Sequence, residues 1–335
     1  MVYREVSTFS APGSRNLFLS LINKACTLPQ LSQTHAQIIL NGLQHDLAIV
    51  TKLTQKLFDL QAIWQARDLF FSIPKPDIFL FNVLIKGFSN SASPLSSISL
   101  YARMRKSTNL KPDNYTYSFA IMAASGFSDK KYGKLLHAHS IVDGLGFSLF
   151  IGSAAVDMYC KFLRVDLARK VFDKMLERDT VLWNTMITGL VRNCYFDDSI
   201  EVFANMVAQK VLLDSTTVAT VLPAAAELQE LRVGMGIQCL ALKLGFHFDA
   251  HVLTGLISLY SKCGQIDIAR SLFMLINQPD LISYNAMISG FTCNSETESS
   301  VRLFRELLAS GFLYEIRFNF TFIYFNCPNN CLQPT

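Results

Sequence analysis

Two residue pairs in this chain invite a metal, and the spacing of each argues against one. His137 and His139 lie two apart in Leu136-His137-Ala138-His139, whereas neighbours on one helical face are three or four apart, so the two imidazoles point in different directions. Cys327 and Cys331 form a C-x3-C with no further His or Cys at ligand spacing. No G-x-x-x-x-G-K-[ST], G-x-S-x-G or H-E-x-x-H occurs. The acidic residues recur singly, as caps and turn groups, rather than as a converging pair. Neither catalysis nor a metal or cofactor is expected. What recurs instead is an aromatic-Asn dipeptide, at Phe81-Asn82, Trp183-Asn184 and Tyr284-Asn285, each a few residues after an Asp, at Asp77, Asp179 and Asp280. Groups repeated at fixed register suit an extended ligand, met along a surface rather than in one pocket.

These landmarks belong to a repeat of 101 to 102 residues: Ala66-Arg67-Asp68-Leu69-Phe70 returns as Ala168-Arg169-Lys170-Val171-Phe172 and as Ala269-Arg270-Ser271-Leu272-Phe273. That period is too long for one structural unit and implies a cycle of smaller ones. Between landmarks, apolar residues fall at helical spacing in paired segments of about a dozen residues. Val181, Trp183, Met186, Ile187 and Leu190 form one stripe, with Asp179 or Thr180 placed to cap it. Ile200, Phe203, Met206 and Val207 form its partner, and Lys262-Cys263-Gly264 supplies a turn whose Gly can take the left-handed conformation that ends a helix. Each unit is thus a helix-turn-helix hairpin, too small to bury both faces unless neighbours stack on it. Cutting at the turns gives units at 16–46, 47–77, 78–113, 114–148, 149–179, 180–214, 215–249, 250–280 and 281–315.

Composition fits such a stack. The chain of 335 residues is 50% hydrophobic and 17% charged, too apolar for disorder, yet no run approaches the roughly 20 apolar residues that span a bilayer. No membrane partner is expected. A net charge of +4 permits a polyanionic partner without demanding one. The eight cysteines lie mostly singly in apolar segments, the pattern of reduced, buried thiols in an intracellular protein. Residues 1–15 carry Arg4, Arg15, Ser7, Thr8, Ser10 and Ser14 against one acidic residue, Glu5, with no apolar core before a small-residue cleavage site. They read either as an organelle transit segment or as a frayed, disordered terminus.

Asp179-Thr180-Val181-Leu182-Trp183-Asn184-Thr185-Met186-Ile187-Thr188-Gly189 resembles the opening of a pentatricopeptide repeat, and Ala168-Arg169-Lys170-Val171-Phe172-Asp173-Lys174-Met175 resembles its second helix. The alternation of standard, long and short units is similar to the plant PLS subclass of that family, and the sequence is most similar to organelle RNA-editing factors, over about residues 16–315. The resemblance implies an all-α fold, a right-handed superhelical solenoid of eight to nine units. Its inner groove, lined by the first helix of each unit, would accept single-stranded RNA at one base per unit. Unpaired bases expose edges that short polar side chains on a rigid scaffold can read.

In the family the fifth residue of a unit reads the base together with the unit's last residue. Carried over, the reading pairs are Thr51 with Asp77, Asn82 with Asp113, Ser153 with Asp179, Asn184 with Asp214, Thr254 with Asp280, and Asn285 with Glu315. A hydroxyl residue with Asp favours G in the family, and Asn with Asp favours U over C. Ser118 with Ser148 and Ala219 with Asp249 are left unassigned, and the Glu in the last pair leaves only a pyrimidine preference. The implied target is 5′-G-U-n-G-U-n-G-Y-3′, read in the direction of the chain. The second residue of a unit sandwiches the base in this family; Phe79, Phe150, Val181 and Ile282 fit that role, Ala48 and His251 poorly.

Many related editing factors continue into a deaminase-like domain with an H-x-E and C-x-x-C zinc site. Nothing here matches it, and the chain leaves the repeat pattern at Arg317-Phe318-Asn319-Phe320-Thr321-Phe322 within residues 316–335. That tail fits a truncated gene model or a short strand-like cover for the last unit. The resemblance therefore implies a monomeric, non-enzymatic RNA-binding protein of a mitochondrion, or alternatively a chloroplast. It would serve C-to-U editing by positioning a deaminase carried by another protein. A protein-binding helical scaffold and a non-functional truncated product are the alternatives.

Overall fold

The computed structural model describes residues 12–91, 93–107, 109–126 and 130–310. Every regular element among them is an α-helix, and the helices fall into two bodies, Met1–Glu177 and Arg178–Thr335. In the first body α1 (Pro12–Lys24) precedes α2 (Leu28–Leu40), α3 (Leu47–Asp59) precedes α4 (Ile63–Phe71), α5 (Ile78–Ser89) precedes α6 (Pro94–Ser107), α7 (Asn114–Gly126) precedes α8 (Lys130–Val142), and α9 (Leu149–Lys161) precedes α10 (Val165–Lys174). The second holds α11 (Thr180–Arg192) with α12 (Phe196–Ala208), α13 (Ser215–Glu227) with α14 (Leu231–Lys243), α15 (Ala250–Lys262) with α16 (Ile266–Met274), and α17 (Leu281–Cys293) with α18 (Thr297–Ala309). Each helix packs on its hairpin partner. Within each body the first helices also pack on one another in succession, α1 to α9 and α11 to α17. The first helix at Pro12 starts inside the stretch expected to be a leader or frayed. No described helix is long and apolar enough to cross a membrane.

The first helices form the core because they are covered on both sides. On α9, Ile151, Ala155, Val156 and Met158 are wholly buried, with Ala154, Tyr159 and Cys160 nearly so. On α11 the buried set is Leu182, Trp183, Met186, Ile187 and Leu190; Val181, expected in that stripe, lies outside it and is 61% exposed. The reason is angular: at about 100° per residue, a stripe centred on Met186 and Ile187 takes in Leu182 and Trp183 and leaves the preceding position off its edge. A helix of about 13 residues is marginal in water by itself, so this two-sided burial is the main source of stability.

Cysteine placement departs from expectation. Only Cys160 is buried among the described cysteines; Cys26, Cys194, Cys239 and Cys293 are exposed. Cys26 and Cys194 sit in the turns after α1 and α11, and Cys293 ends α17, positions where a hairpin cannot cover a side chain.

Six of the turns inside the hairpins share one geometry. After α9, the Leu163 N–H donates to Cys160 C=O (3.0 Å) and the Arg164 N–H to Tyr159 C=O (2.9 Å), the nested pair of a Schellman motif. The motif needs a left-handed residue, and Gly264 supplies one at φ 74°. Gln61, Leu163, Cys194, Gln229 and Ser295 take the same conformation at φ 56–63° with side chains attached. An L-residue pays about 1 kcal/mol for that backbone and glycine nearly nothing. Leu163 is also 75% exposed, so its side chain contributes little packing. Leu163→Gly is expected to stabilise the chain by roughly 0.5–1 kcal/mol, read as a higher thermal midpoint.

Candidate nucleic-acid interface

The first helices α3, α5, α7, α9, α11, α13, α15 and α17 each open on a side chain that accepts free N–H groups. Asp46, Asp77, Ser148, Asp179, Asp214, Asp249 and Asp280 are the N-caps of α3, α5, α9, α11, α13, α15 and α17. Asp113 does the same before α7, accepting from the Thr116 N–H at 2.8 Å. Among the second helices, α2, α4, α10, α12, α14, α16 and α18 lack side-chain caps. A carboxylate is favoured at the positive end of a helix and satisfies donors that nothing else reaches. Because first helices stack side by side within a body, the cap of α7 stands beside Asn82, the fifth residue of the unit before, and the cap of α13 beside Asn184.

Two of the expected reading pairs are joined in this way. The Asn82 amide nitrogen donates to both oxygens of Asp113, at 3.1 and 3.2 Å. In the second body the Asn184 amide donates to Asp214 Oδ1 at 3.4 Å. Asp214 Oδ1 also accepts the Thr217 N–H and hydroxyl, each at 2.7 Å, completing a capping box. Partial burial pushes the Asp214 carboxyl up, but the bonds from the Thr217 hydroxyl and amide and from Asn184 outweigh it and hold it below the ordinary carboxylate value.

The remaining residues fall differently. No hydrogen bond links Thr51 to Asp77 or Thr254 to Asp280; the Thr254 hydroxyl donates back to Ala250 C=O at 2.7 Å. Ser153 is half-buried on α9 in the first body, and Asp179 belongs to the second. Asn285 is half-buried on α17, while Glu315 lies outside the described residues, as do Cys327, Cys331 and the tail. In the unassigned units Ser118 is buried at 8% exposed, as Asn82 is at 7%.

The second positions stand out into solvent. Phe79, Phe150, Val181 and Ile282 are 69, 54, 61 and 62% exposed. Leu17 and Tyr115, at the same place in their units and not picked out from the sequence, are exposed as well. The Tyr115 ring lies 5.0 Å from that of Phe150 and 6.2 Å from that of Phe119, with Lys86 Nζ 5.6 Å over the Phe119 ring. The second-position rule alone would have found both residues, had it been applied to the units without a reading pair.

Each histidine of the sequence pair meets a tyrosine hydroxyl. His137 is buried against the Tyr159 hydroxyl (Nδ1 3.1 Å), and His139 Nδ1 meets the Tyr101 hydroxyl at 3.0 Å; burial holds both imidazoles below their usual pKa. Among the described residues, no three His, Cys, Asp or Glu side chains cluster as metal ligands.

Four stretches, residues 153–180, 181–211, 252–277 and 282–312, match the model of the PPR repeat. A pentatricopeptide repeat-containing protein of Arabidopsis thaliana is 51% identical over 317 residues, covering 93% of this chain and 40% of that protein. Another from the same plant is 31% identical over 303 residues, covering 90% of this chain and 44% of its own length. The chain thus spans under half the length of these relatives. In fold it matches the crystal structure of the pentatricopeptide repeat protein PPR10 in complex with an 18-nucleotide psaJ RNA element, at a TM-score of 0.68 and 16% identity over 89% of this chain and 45% of that one.

The junction carbonyls and amides make the caps testable. Asp214→Ala removes an N-cap and is expected to cost about 1 kcal/mol, lowering the thermal midpoint by about 2–4 °C. A carboxyl whose folded pKa is depressed stabilises fully above its unfolded value and loses that contribution as pH falls through the folded one. The gap between wild type and Asp214→Ala should therefore hold at neutral pH and close only below about pH 4, in unfolding curves collected across pH.

Proposed function

We propose that this chain, a member of the pentatricopeptide-repeat family, binds single-stranded RNA along its first helices. Asn82–Asp113 and Asn184–Asp214 read uracil, the hydroxyl pairs at Thr51, Ser153 and Thr254 read guanine, and Asn285 reads a pyrimidine, giving 5′-GUnGUnGY-3′. Phe79, Phe150, Val181 and Ile282 stack on the bases, a contact worth about 1–3 kcal/mol per base. The observation that carries this reading is the hydrogen-bonded Asn–Asp pair, present in both bodies, with an exposed apolar residue three positions before each Asn. An exposed Phe or Val at that place has no packing partner to satisfy, and a planar base covers it.

The chain acts by binding. It positions RNA for C-to-U editing by a deaminase supplied in trans, as a monomer, in a mitochondrion or alternatively a plastid; relatives named for each organelle occur in Arabidopsis thaliana. A second reading, a protein-binding scaffold, draws on Trp64 and Phe71, exposed on α4 beneath the guanidinium groups of Arg67 and Arg103 at 4.9 and 4.8 Å.

Gel-shift titration with an RNA carrying GUUGUUGU distinguishes the two. Binding should weaken about tenfold or more when both read uracils become adenines, because the amide partners are then mismatched, and should fall as salt rises. Unchanged affinity after that swap would sink the RNA reading.

A further inference from the structure

The two Asn sites are built alike and satisfied differently. In each, an Asp caps the next helix and a Thr three residues later closes the cap: Asp113 with Thr116, and Asp214 with Thr217. At the first site the Thr116 hydroxyl lies 2.6 Å from Asn82 Oδ1 and 2.9 Å from Asp113 Oδ1. A hydroxyl has one proton and donates once. Asp113 Oδ1 already accepts the Thr116 N–H and the Asn82 amide, so the proton belongs on the nearer Asn82 oxygen. The carboxylate fixes which end of that amide is nitrogen, since turning Oδ1 toward it would oppose two acceptors. Asn82 is then held at both ends, 7% exposed, with its acceptor occupied.

At the second site the same hydroxyl is spent elsewhere. Thr217 donates to Asp214 Oδ1 at 2.7 Å, and Asn184 Oδ1 is buried with no partner. An unpaired buried acceptor is costly to leave and selective for a ligand that brings a donor. The Watson–Crick edge of uracil carries an N–H at N3. Cytosine presents a bare nitrogen there, which would face the Asn184 oxygen as a second acceptor.

We propose that Thr116 is a positioning residue that blunts base choice at Asn82, and that Asn184, free of such a bond, is the sharper reader of uracil over cytosine. This rests on the RNA-binding reading above. It also makes the unit a three-residue device, in which the first-turn Thr of the following helix sets how much of the Asn remains for the base.

The test is competitive binding with GUUGUUGU RNAs in which uracil becomes cytosine at the second or the fifth nucleotide, met by Asn82 and Asn184 respectively. Wild type should lose about tenfold more affinity for the change at nucleotide five than at nucleotide two. Thr116→Val, isosteric and without a hydroxyl, should raise the penalty at nucleotide two toward that at five, while Thr116→Ser should leave it unchanged. Thermal midpoints of the variants separate loss of the cap from the change in base preference, and the wild-type comparison needs no variant at all. Equal penalties at the two nucleotides in wild type, or identical effects of Val and Ser, overturn the inference alone, provided the target RNA still binds. No binding of the target RNA overturns the inference together with the reading beneath it.

Discussion

A capping side chain, in all but one case a carboxylate, at the start of the first helices from α3 to α17 organises both the fold and the surface. A helix of about 13 residues leaves four N–H groups without partners and would be marginal alone; the capping Asp or Ser satisfies one or two of them and fixes where the next hairpin begins. Stacking then sets that cap beside the preceding first helix. One group is thus shared between two tasks: it ends the irregular link, and it offers a fixed negative end to whatever side chain faces it. At Asp113 and Asp214 that side chain is an asparagine. The polar register on this face is inherited from capping, so the groups that could meet a ligand cannot drift independently of the scaffold.

Two-sided burial explains what is left over. Once a first helix gives its stripe to its hairpin partner and to both neighbours, few positions remain, and the second is among them. The fifth is polar in the units with a reading pair. The second is apolar and more than half exposed in Phe79, Phe150, Val181 and Ile282. Isolated exposed apolar residues need no explanation, but Phe79, Tyr115 and Phe150, at constant register in three successive units of the first body, are a row. Where Tyr115 meets Phe150 at 5.0 Å the row closes on itself, and it does so in the unit whose fifth residue, Ser118, is buried.

The hairpins were legible because helical periodicity and the Asp before most first helices are local signals. Asp179 caps as its position indicated, and Gly264 takes the left-handed turn. What escaped depends on residues far apart in sequence or on conformations that carry no residue signature. Leu163, Cys194 and Ser295 occupy the left-handed position that Gly264 marks, because the nested turn bonds outweigh the backbone cost. Val181 falls outside the buried stripe for an angular reason that counting apolar residues in the segment does not register. The cysteines looked buried from their apolar surroundings and are mostly at turns and helix ends. The Thr116 bond joins residues 34 apart in sequence; the D-x-x-T spacing reveals the cap but not the asparagine that shares it.

The hydroxyl units follow a different logic from the Asn units. An asparagine keeps donors and an acceptor whatever its orientation, so a carboxylate partner is needed to choose between them. Thr254 has no such partner. Its proton is committed to Ala250 C=O, one turn back along its own helix. A back-bonded hydroxyl has lost its donor and kept its lone pairs. It can only accept, and so it complements an edge rich in N–H groups, which among the bases is that of guanine. Selectivity at Thr254 would then come from the helix backbone and not from Asp280, which stays free to cap α17 through Ser283. The amides of Asn82 and Asn184 depend on the carboxylate for orientation, whereas the Thr254 hydroxyl is oriented by the helix that carries it.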